Sequence, residues 1–347
     1  MPEPSDFRPA WWLPGAHLQT VWGRLARPRT LVPLRRELLP TPDGDELIID
    51  HLDGDPRLRY VLLHGLEGSS HSVYMQGLLF EIQKRGWSAT VLNFRSCARK
   101  PENWRVMIPN RTYRLYHSGE TTDLDFLLGF LRDRDPSAVI VAFGASLGGN
   151  VLLKWLGENA SHPVIRAAST ISVPYDLGAG ARHLESRLGG LYVSSFLRSL
   201  KRKSLDKVAQ FALAAERIDV PSLVASNSFY TFDDAATAPL HGFAGADDYY
   251  ARCSSIGFVD RITIPTLCLS SHDDPFLPQS VLETMASRVP PNVQLRLTPL
   301  GGHVGFVSGR SPWECRYWAE ELIVDWLASH AGPSLPSPEG EGGREAG

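Results

Sequence analysis

Between about residues 59 and 172 the chain keeps one rhythm. Short runs of branched apolar residues alternate with longer segments whose apolar positions recur every three or four residues. "RYVLLHG", "SATVLNF", "SAVIVAFG" and "IRAASTIS" read as strands. Their near-continuous Val, Ile and Leu content is that of strands covered on both faces. "SVYMQGLLFEIQKRG", "TTDLDFLLGFLRDR" and "SLGGNVLLKWLGEN" read as helices, the first stopping at Gly86 and the second opening on a capping box at Thr122 and Asp125. Strands alternating with helices predict an α/β fold with a mostly parallel central sheet and helices on both sides.

Upstream, "LRRELLPTPDGDELIIDHLDG" predicts a hairpin turning at Asp43-Gly44. The aromatic, proline-rich segment before about Arg29 has no clear period. From about Val173 to Phe258 the rhythm breaks into charged, serine-rich, helical stretches, which predict a helical cap inserted into a single domain spanning 1–330. The rhythm then resumes with "PTLCLSS" (strand), "QSVLETMASRV" (helix), "VQLRLTP" (strand) and a long final helix, "WECRYWAEELIVDWLASH". The tail from Ala331 is rich in Gly, Pro, Ser and Glu, too polar to bury a core, and is expected to be disordered.

Composition narrows the function. A net charge of −3 over 347 residues gives no footprint for nucleic acid. No apolar run reaches the ~18 residues that a membrane span needs. "MPEPSDFRPAWWLPGAH" lacks the apolar region of a secretory signal. The four cysteines, Cys97, Cys253, Cys268 and Cys315, form no CxxC pair, and predict free thiols in the cytoplasm.

The candidate chemistry starts at "VAFGASLGGN". Gly144-Ala145-Ser146-Leu147-Gly148 fits G-x-S-x-G, a tight strand-to-helix turn that lifts a serine hydroxyl above the end of the sheet. Residues two before and two after the serine must be small, and the next helix aims its first N–H groups at the same spot. The motif alone is weak, but its place between a strand and a helix supports it. A serine hydroxyl needs a base, and the base needs an orienting carboxylate. "CLSSHDDPFLP" and "LTPLGGHVGFVSG", each following a strand, supply Asp273 or Asp274 and then His303. Asp274 is favoured because Asp274-Pro275-Phe276-Leu277-Pro278 has the D-P-x-x-P pattern usual for this loop, which leaves Asp273 as a turn residue. Oxyanion donors are expected at the N–H groups of Leu66, in "LLHGLEGSS", and Leu147. His272, Asp273, Asp274 and His303 show no metal-ligand spacing, and no metal or organic cofactor is expected.

These residues resemble the YheT-like branch of the α/β-hydrolase superfamily. The resemblance runs from about Trp11 to Leu327 and rests on "LPGAHLQT", "HGLEGSS", "NFRSC", "YHSGETTDL", "GASLGGNVLLKWLGE", "TAPLHGF", "DDPF" and "GGHVGF". It implies a cytosolic or membrane-associated serine hydrolase of carboxylic esters, with nucleophile Ser146, acid Asp274 and base His303. Family members include esterases, lipid hydrolases and alcohol acyltransferases, so the substrate does not carry over. In place of the family's "RGCSG" and a short step to "YHSGE", this chain has "RSCARKPENWRVMIPNRTYRLYHSGE", a longer loop over 97–115. His17, His117 and His241 fall in family motifs without a catalytic role and read as structural hydrogen-bonding groups, with shaping the pocket or holding the N-terminal segment as the alternative for His17 and His117, and Arg95 reads as a structural ion pair or backbone clamp.

The expected reaction is cleavage of a small-molecule ester or lipid, short- to medium-chain or monoacylglycerol-like. Transfer of the acyl group to an alcohol would use the same residues, and a silent fold used for binding would normally lack the serine or histidine. Leu191, Tyr192, Phe196, Leu197, Phe229, Tyr230 and Phe232 of the insertion suit an acyl chain, and equally suit the insertion's own packing.

Overall fold

The computed structural model describes residues 7–27, 32–161, 164–185 and 190–332. Eight strands form one sheet: β1 (Arg35–Pro40), β2 (Glu46–Leu52), β3 (Asp55–Leu63), β4 (Trp87–Asn93), β5 (Val139–Ala145), β6 (Ile165–Ile171), β7 (Thr266–Ser271) and β8 (Val293–Thr298). Their order is β1-β2-β4-β3-β5-β6-β7-β8. β2 runs antiparallel to β1 and β4, and every pair from β4 to β8 is parallel. The predicted hairpin turns at Gly44, whose φ of 80° suits glycine.

The strands alternate with helices α2 (Val73–Lys84), α3 (Thr122–Arg134), α4 (Leu147–Glu158), α12 (Gln279–Arg288) and α13 (Trp318–His330), after α1 (Ala16–Ala26) at the N-terminal side. α2 and α13 cover one face of the sheet through Met75, Leu79, Ile323 and Leu327. α3, α4 and α12 cover the other through Leu127, Leu152, Trp155 and Leu282. Burial on both faces explains the unbroken apolar runs, since every residue of β4 is buried. Each fully buried Leu, Ile or Val contributes about 1.5–3 kcal/mol relative to exposure.

Between β6 and β7 lie α5 (Leu177–Glu185), α6 (Gly190–Gln210), α7 (Ala212–Arg217), α8 (Val220–Ala225) and α9 (Phe229–Phe232). A π-helical turn over Asp233–Thr237, α10 (Ala238–His241) and α11 (Ala246–Cys253) complete this segment. It has its own apolar centre, including Val193, Leu197, Leu223 and Phe232. Residues 97–115, the expected long loop, contain a two-stranded hairpin pairing Arg99–Lys100 with Asn103–Met107.

Three local expectations need correction. The capping box at Thr122 and Asp125 is absent: Thr121 is the N-cap, with no side-chain cap bond, and the Glu120 carboxylate accepts the Thr122 N–H at 3.0 Å. The final helix begins at Trp318, because Arg316–Tyr317 instead pairs with Val307–Ser308. The N-terminal segment carries a helix, α1, that showed no sequence period because its one fully buried side chain is the polar Gln19. The tail beyond residue 332 lies outside the described residues.

Candidate active site

The sheet order reverses beside β3: the chain moves outward from β3 to β4, then returns to place β5 on β3's other side. Open parallel sheets form their crevices at such a point, outside the carboxyl ends of the strands. Here β3 and β5 end in register, Leu63 opposite Gly144. The loop after β3 and the turn after β5 therefore emerge side by side.

The turn after β5 is tight. Ser146 has φ 50° and ψ −119°, a conformation that costs a non-glycine residue roughly 1–3 kcal/mol. Close packing maintains it. A Cβ on Gly144 would stand 2.5 Å from the Gly148 carbonyl oxygen, and one on Gly148 2.5 Å from that of His64. The Ser146 N–H donates to the Ile171 carbonyl at 2.8 Å, fixing the turn to β6.

The loops after β7 and β8 supply the other predicted residues. Ser146 Oγ lies 3.0 Å from His303 Nε2, and His303 Nδ1 lies 3.0 and 3.1 Å from the two Asp274 oxygens. An imidazole protonated on Nδ1 satisfies both contacts: it donates to Asp274 and accepts from the serine hydroxyl. The Asp274 side chain is fully buried and also accepts the Phe276 N–H at 2.8 Å. The Phe276 ring stacks on the imidazole, centroids 4.1 Å apart. Asp273 does not reach His303. Its Oδ1 accepts the Gly302 N–H at 2.9 Å, and its buried Oδ2 has no partner among the described residues. Among those residues no group of three or more His, Cys, Asp or Glu could hold a metal.

Sequence alone gave no role to Gln19 or Thr20 of "HLQT", but their place on α1 supplies one. Thr20 Oγ1 accepts the His303 N–H at 2.9 Å, and the Gln19 amide bonds both the N–H and the carbonyl of Val307. α1 thus braces the loop that carries His303.

Leu66 and Leu147 face the same space as Ser146 and His303. Among the described residues neither backbone N–H has an acceptor. The Leu66 loop is pinned from several sides. His64 is buried, which lowers its pKa to about 4 and keeps it neutral. Its Nδ1 donates to the Gly65 carbonyl at 2.7 Å while Nε2 accepts the Phe94 N–H at 3.1 Å. The Tyr74 hydroxyl, its pKa pushed up to about 12 by burial, accepts the Gly65 N–H at 2.7 Å. Sequence reasoning missed Tyr74, although it lies only nine positions beyond Gly65.

These groups open on a cavity of about 710 Å³, within the range of small-molecule sites. Tyr192, Phe196, Phe229 and Phe232 line it. Leu197 packs in the helical segment's own centre, and Tyr230 bonds Asp247 at 3.1 Å instead. The Leu191 side chain is outside the description. His17 is exposed and bonds the Tyr192 hydroxyl at 3.2 Å. His117 and His241, their pKa values lowered by burial, lie against each other 4.6 Å apart, and His117 also borders the cavity. Arg95 is buried among Asp123, Asp45 and Asp43, at 2.7 to 2.9 Å.

The family model for the alpha/beta hydrolase fold matches residues 61–309. The chain is 36% identical over 330 residues to a protein of Escherichia coli named "Putative esterase YheT", covering 94% of each chain. It is 30% identical over 322 residues to the phospholipase ABHD3 of Bos taurus, covering 90% of this chain and 76% of that protein. Among solved structures, an esterase from Pyrococcus furiosus superposes with a TM-score of 0.52 at 15% identity, over 86% of this chain and 89% of that one, which shows the shared fold. The chain therefore belongs to the α/β-hydrolase family, in the YheT-like branch of esterase- and phospholipase-like hydrolases.

Proposed function

We propose that this protein cleaves carboxylic esters through an acyl-enzyme on Ser146, with His303 as base and Asp274 as its orienting acid. The observation that carries the reading is the unbroken chain of contacts from Asp274 through His303 to the Ser146 hydroxyl, 3.0 Å at each closest approach. His303 Nε2 takes the serine proton as Oγ bonds to the ester carbonyl carbon. The oxyanion that forms is met by the Leu66 and Leu147 N–H groups, a kind of contact worth roughly 3–4 kcal/mol in other hydrolases. Collapse breaks the bond to the alkoxy oxygen, and the alcohol leaves with the proton from His303. Water then gives a proton to His303 and attacks the acyl carbon. The acid departs and Ser146 regains its hydrogen. No step requires a metal or organic cofactor.

The helical segment over about 173–258 acts as a cap for the acyl chain, supported by Tyr192, Phe196, Phe229 and Phe232 in the cavity wall. The substrate class is a short- to medium-chain ester or a monoacylglycerol-like lipid. That class accords with relatives named esterase, phospholipase and, for ABHD2 of Danio rerio, monoacylglycerol lipase. A cytoplasmic setting suits four cysteines that are all unpaired. No described helix is long and apolar enough to cross a membrane.

The test is labelling by a fluorophosphonate, wild type against Ser146→Ala, followed by a p-nitrophenyl ester series. Labelling and turnover lost in the variant, with its fold intact, support the reading. Turnover retained by Ser146→Ala refutes it.

A further inference from the structure

Glu67 follows directly on Leu66 and is held in the left-handed region, φ 55°. Four groups from other elements converge on it. The Tyr116 hydroxyl accepts the Glu67 N–H at 2.8 Å and donates to Glu67 Oε1 at 2.8 Å. Lys203 Nζ donates to the same Oε1 at 2.6 Å, and the Ser199 hydroxyl donates to Oε2. Arg99, from the hairpin that lengthens the loop over 97–115, donates to the Glu67 carbonyl at 3.1 Å. Burial pushes the Glu67 carboxyl up, but Lys203 and the hydroxyl donors outweigh it and hold the group below its ordinary pKa. Lys203 and Glu67 are both buried, with side-chain exposures of 7% and 9%, so solvent screens the pair little.

Lys203 and Ser199 both belong to α6, in the segment between β6 and β7, whereas Glu67 belongs to the loop after β3. The ion pair therefore joins two parts of the chain 136 positions apart, one residue from the Leu66 N–H. A charge this deeply buried without its partner would be unstable, so the loop and α6 hold their positions together. A residue held in the left-handed region directly after an oxyanion donor anchors the chain on that donor's C-terminal side, so releasing it lets the donor's N–H shift. Glu67 keeps the conformation because Tyr116 and Lys203 hold its two ends.

We infer that Lys203 is a positioning residue for the oxyanion site: through Glu67 it sets the Leu66 N–H, so that seating α6 completes the machinery. The inference rests on the function proposed above. Lys203 touches neither serine nor imidazole. It acts on the developing oxyanion, with little effect on ground-state binding.

The experiment measures kcat and KM on a soluble p-nitrophenyl ester for Lys203→Met, Tyr116→Phe and the double variant Glu67→Gln/Lys203→Met, with the thermal midpoint of each. Rates are expressed per site titrated by fluorophosphonate, so that a misfolded fraction does not count. Lys203→Met is expected to lose kcat by roughly 10²-fold, the order seen when one oxyanion donor is lost, with KM little changed. The double variant removes the stranded carboxylate, so its thermal midpoint recovers while its kcat stays low. Tyr116→Phe, which keeps the ion pair, lowers kcat in the same direction and serves if Lys203→Met does not fold. A normal kcat per titrated site in Lys203→Met and Tyr116→Phe overturns the inference, as does a double variant whose kcat recovers with its stability. Failure of the underlying reading is separate, because Ser146→Ala would then still turn over the same ester.

Discussion

Asp274→Asn tests which carboxylate orients the base. Asp274 Oδ1 accepts the Phe276 N–H at 2.8 Å, so an asparagine there places its carbonyl oxygen at that position. Its NH2 then stands at the Oδ2 site, 3.0 Å from His303 Nδ1. The asparagine oxygen at the Oδ1 site, shared with the Phe276 N–H, is 3.1 Å from Nδ1 and competes with this closer NH2; where the NH2 takes Nδ1, the hydrogen moves to Nε2 and points at Ser146 Oγ. The imidazole can then no longer take the serine proton. The opposite flip would set NH2 against the Phe276 N–H inside a fully buried site. In serine proteases the equivalent change costs about 10⁴ in kcat, or ~5 kcal/mol in the barrier. We expect a loss of that order here. Asp273→Asn keeps an oxygen for the Gly302 N–H and replaces an oxygen that has no described partner. It should cost no more than roughly tenfold, the scale of one ordinary hydrogen bond. The assay is kcat/KM on p-nitrophenyl butyrate, with circular dichroism to confirm the fold. Asp274→Asn within tenfold of wild type, or Asp273→Asn as the more damaging change, would refute the reasoning.

Other expectations follow from the same geometry. Gly148→Ala would place a Cβ 2.5 Å from the His64 carbonyl oxygen and 2.7 Å from that of Leu63, both backbone atoms, so turnover should fall more than ~10²-fold even in folded protein; near-normal kcat would contradict it. Arg95→Met strands Asp45 and Asp123, both buried, and should cost about 3–5 kcal/mol, read as a lower urea midpoint; an unchanged midpoint would show the carboxylates to be self-sufficient. The Asp233 carboxyl is half-buried, and its loss of solvent outweighs the hydroxyl donors Thr237 and Tyr250 and pushes it up from 3.8 to about 6. The folded chain then holds a proton that the unfolded chain has lost, so this group's contribution to stability falls as pH rises from about 4 to 6. Asp233→Asn should remove that component from the pH dependence of the thermal midpoint, and an unchanged slope would count against it.

Much of this was legible in the sequence, for a physical reason. A strand buried on both faces cannot hide its apolar run, and β3, β4, β5 and β6 were readable from theirs. The turn at Ser146 leaves the same kind of mark: Gly144 and Gly148 are there because backbone atoms occupy the space a Cβ needs. What went unread is long-range. The final helix starts late because Arg316–Tyr317 pairs with Val307–Ser308 and Tyr317 packs under Arg27, a preference set by tertiary neighbours and not by local spacing.

The same distinction separates the residues of the candidate reaction from those that would hold them. Ser146, Asp274 and His303 each sit at a strand end within a recognisable local pattern, because each must project from a tight turn. Gln19, Tyr74 and Lys203 obey no such local constraint. Gln19 needs only an amide within reach of Val307, 288 positions away, and Lys203 only a cation that ends at Glu67. Many helical positions could carry such a side chain, so spacing gives no signal for which one does. Burial then makes the choice consequential: with Glu67 enclosed, removing the cation on its carboxylate strands a charge beside the Leu66 N–H. Gln19 thus holds the loop that carries His303, and Tyr74 and Lys203 hold the loop that carries Leu66, so these are where substitutions that leave the Ser-His-Asp contacts intact should still cost rate.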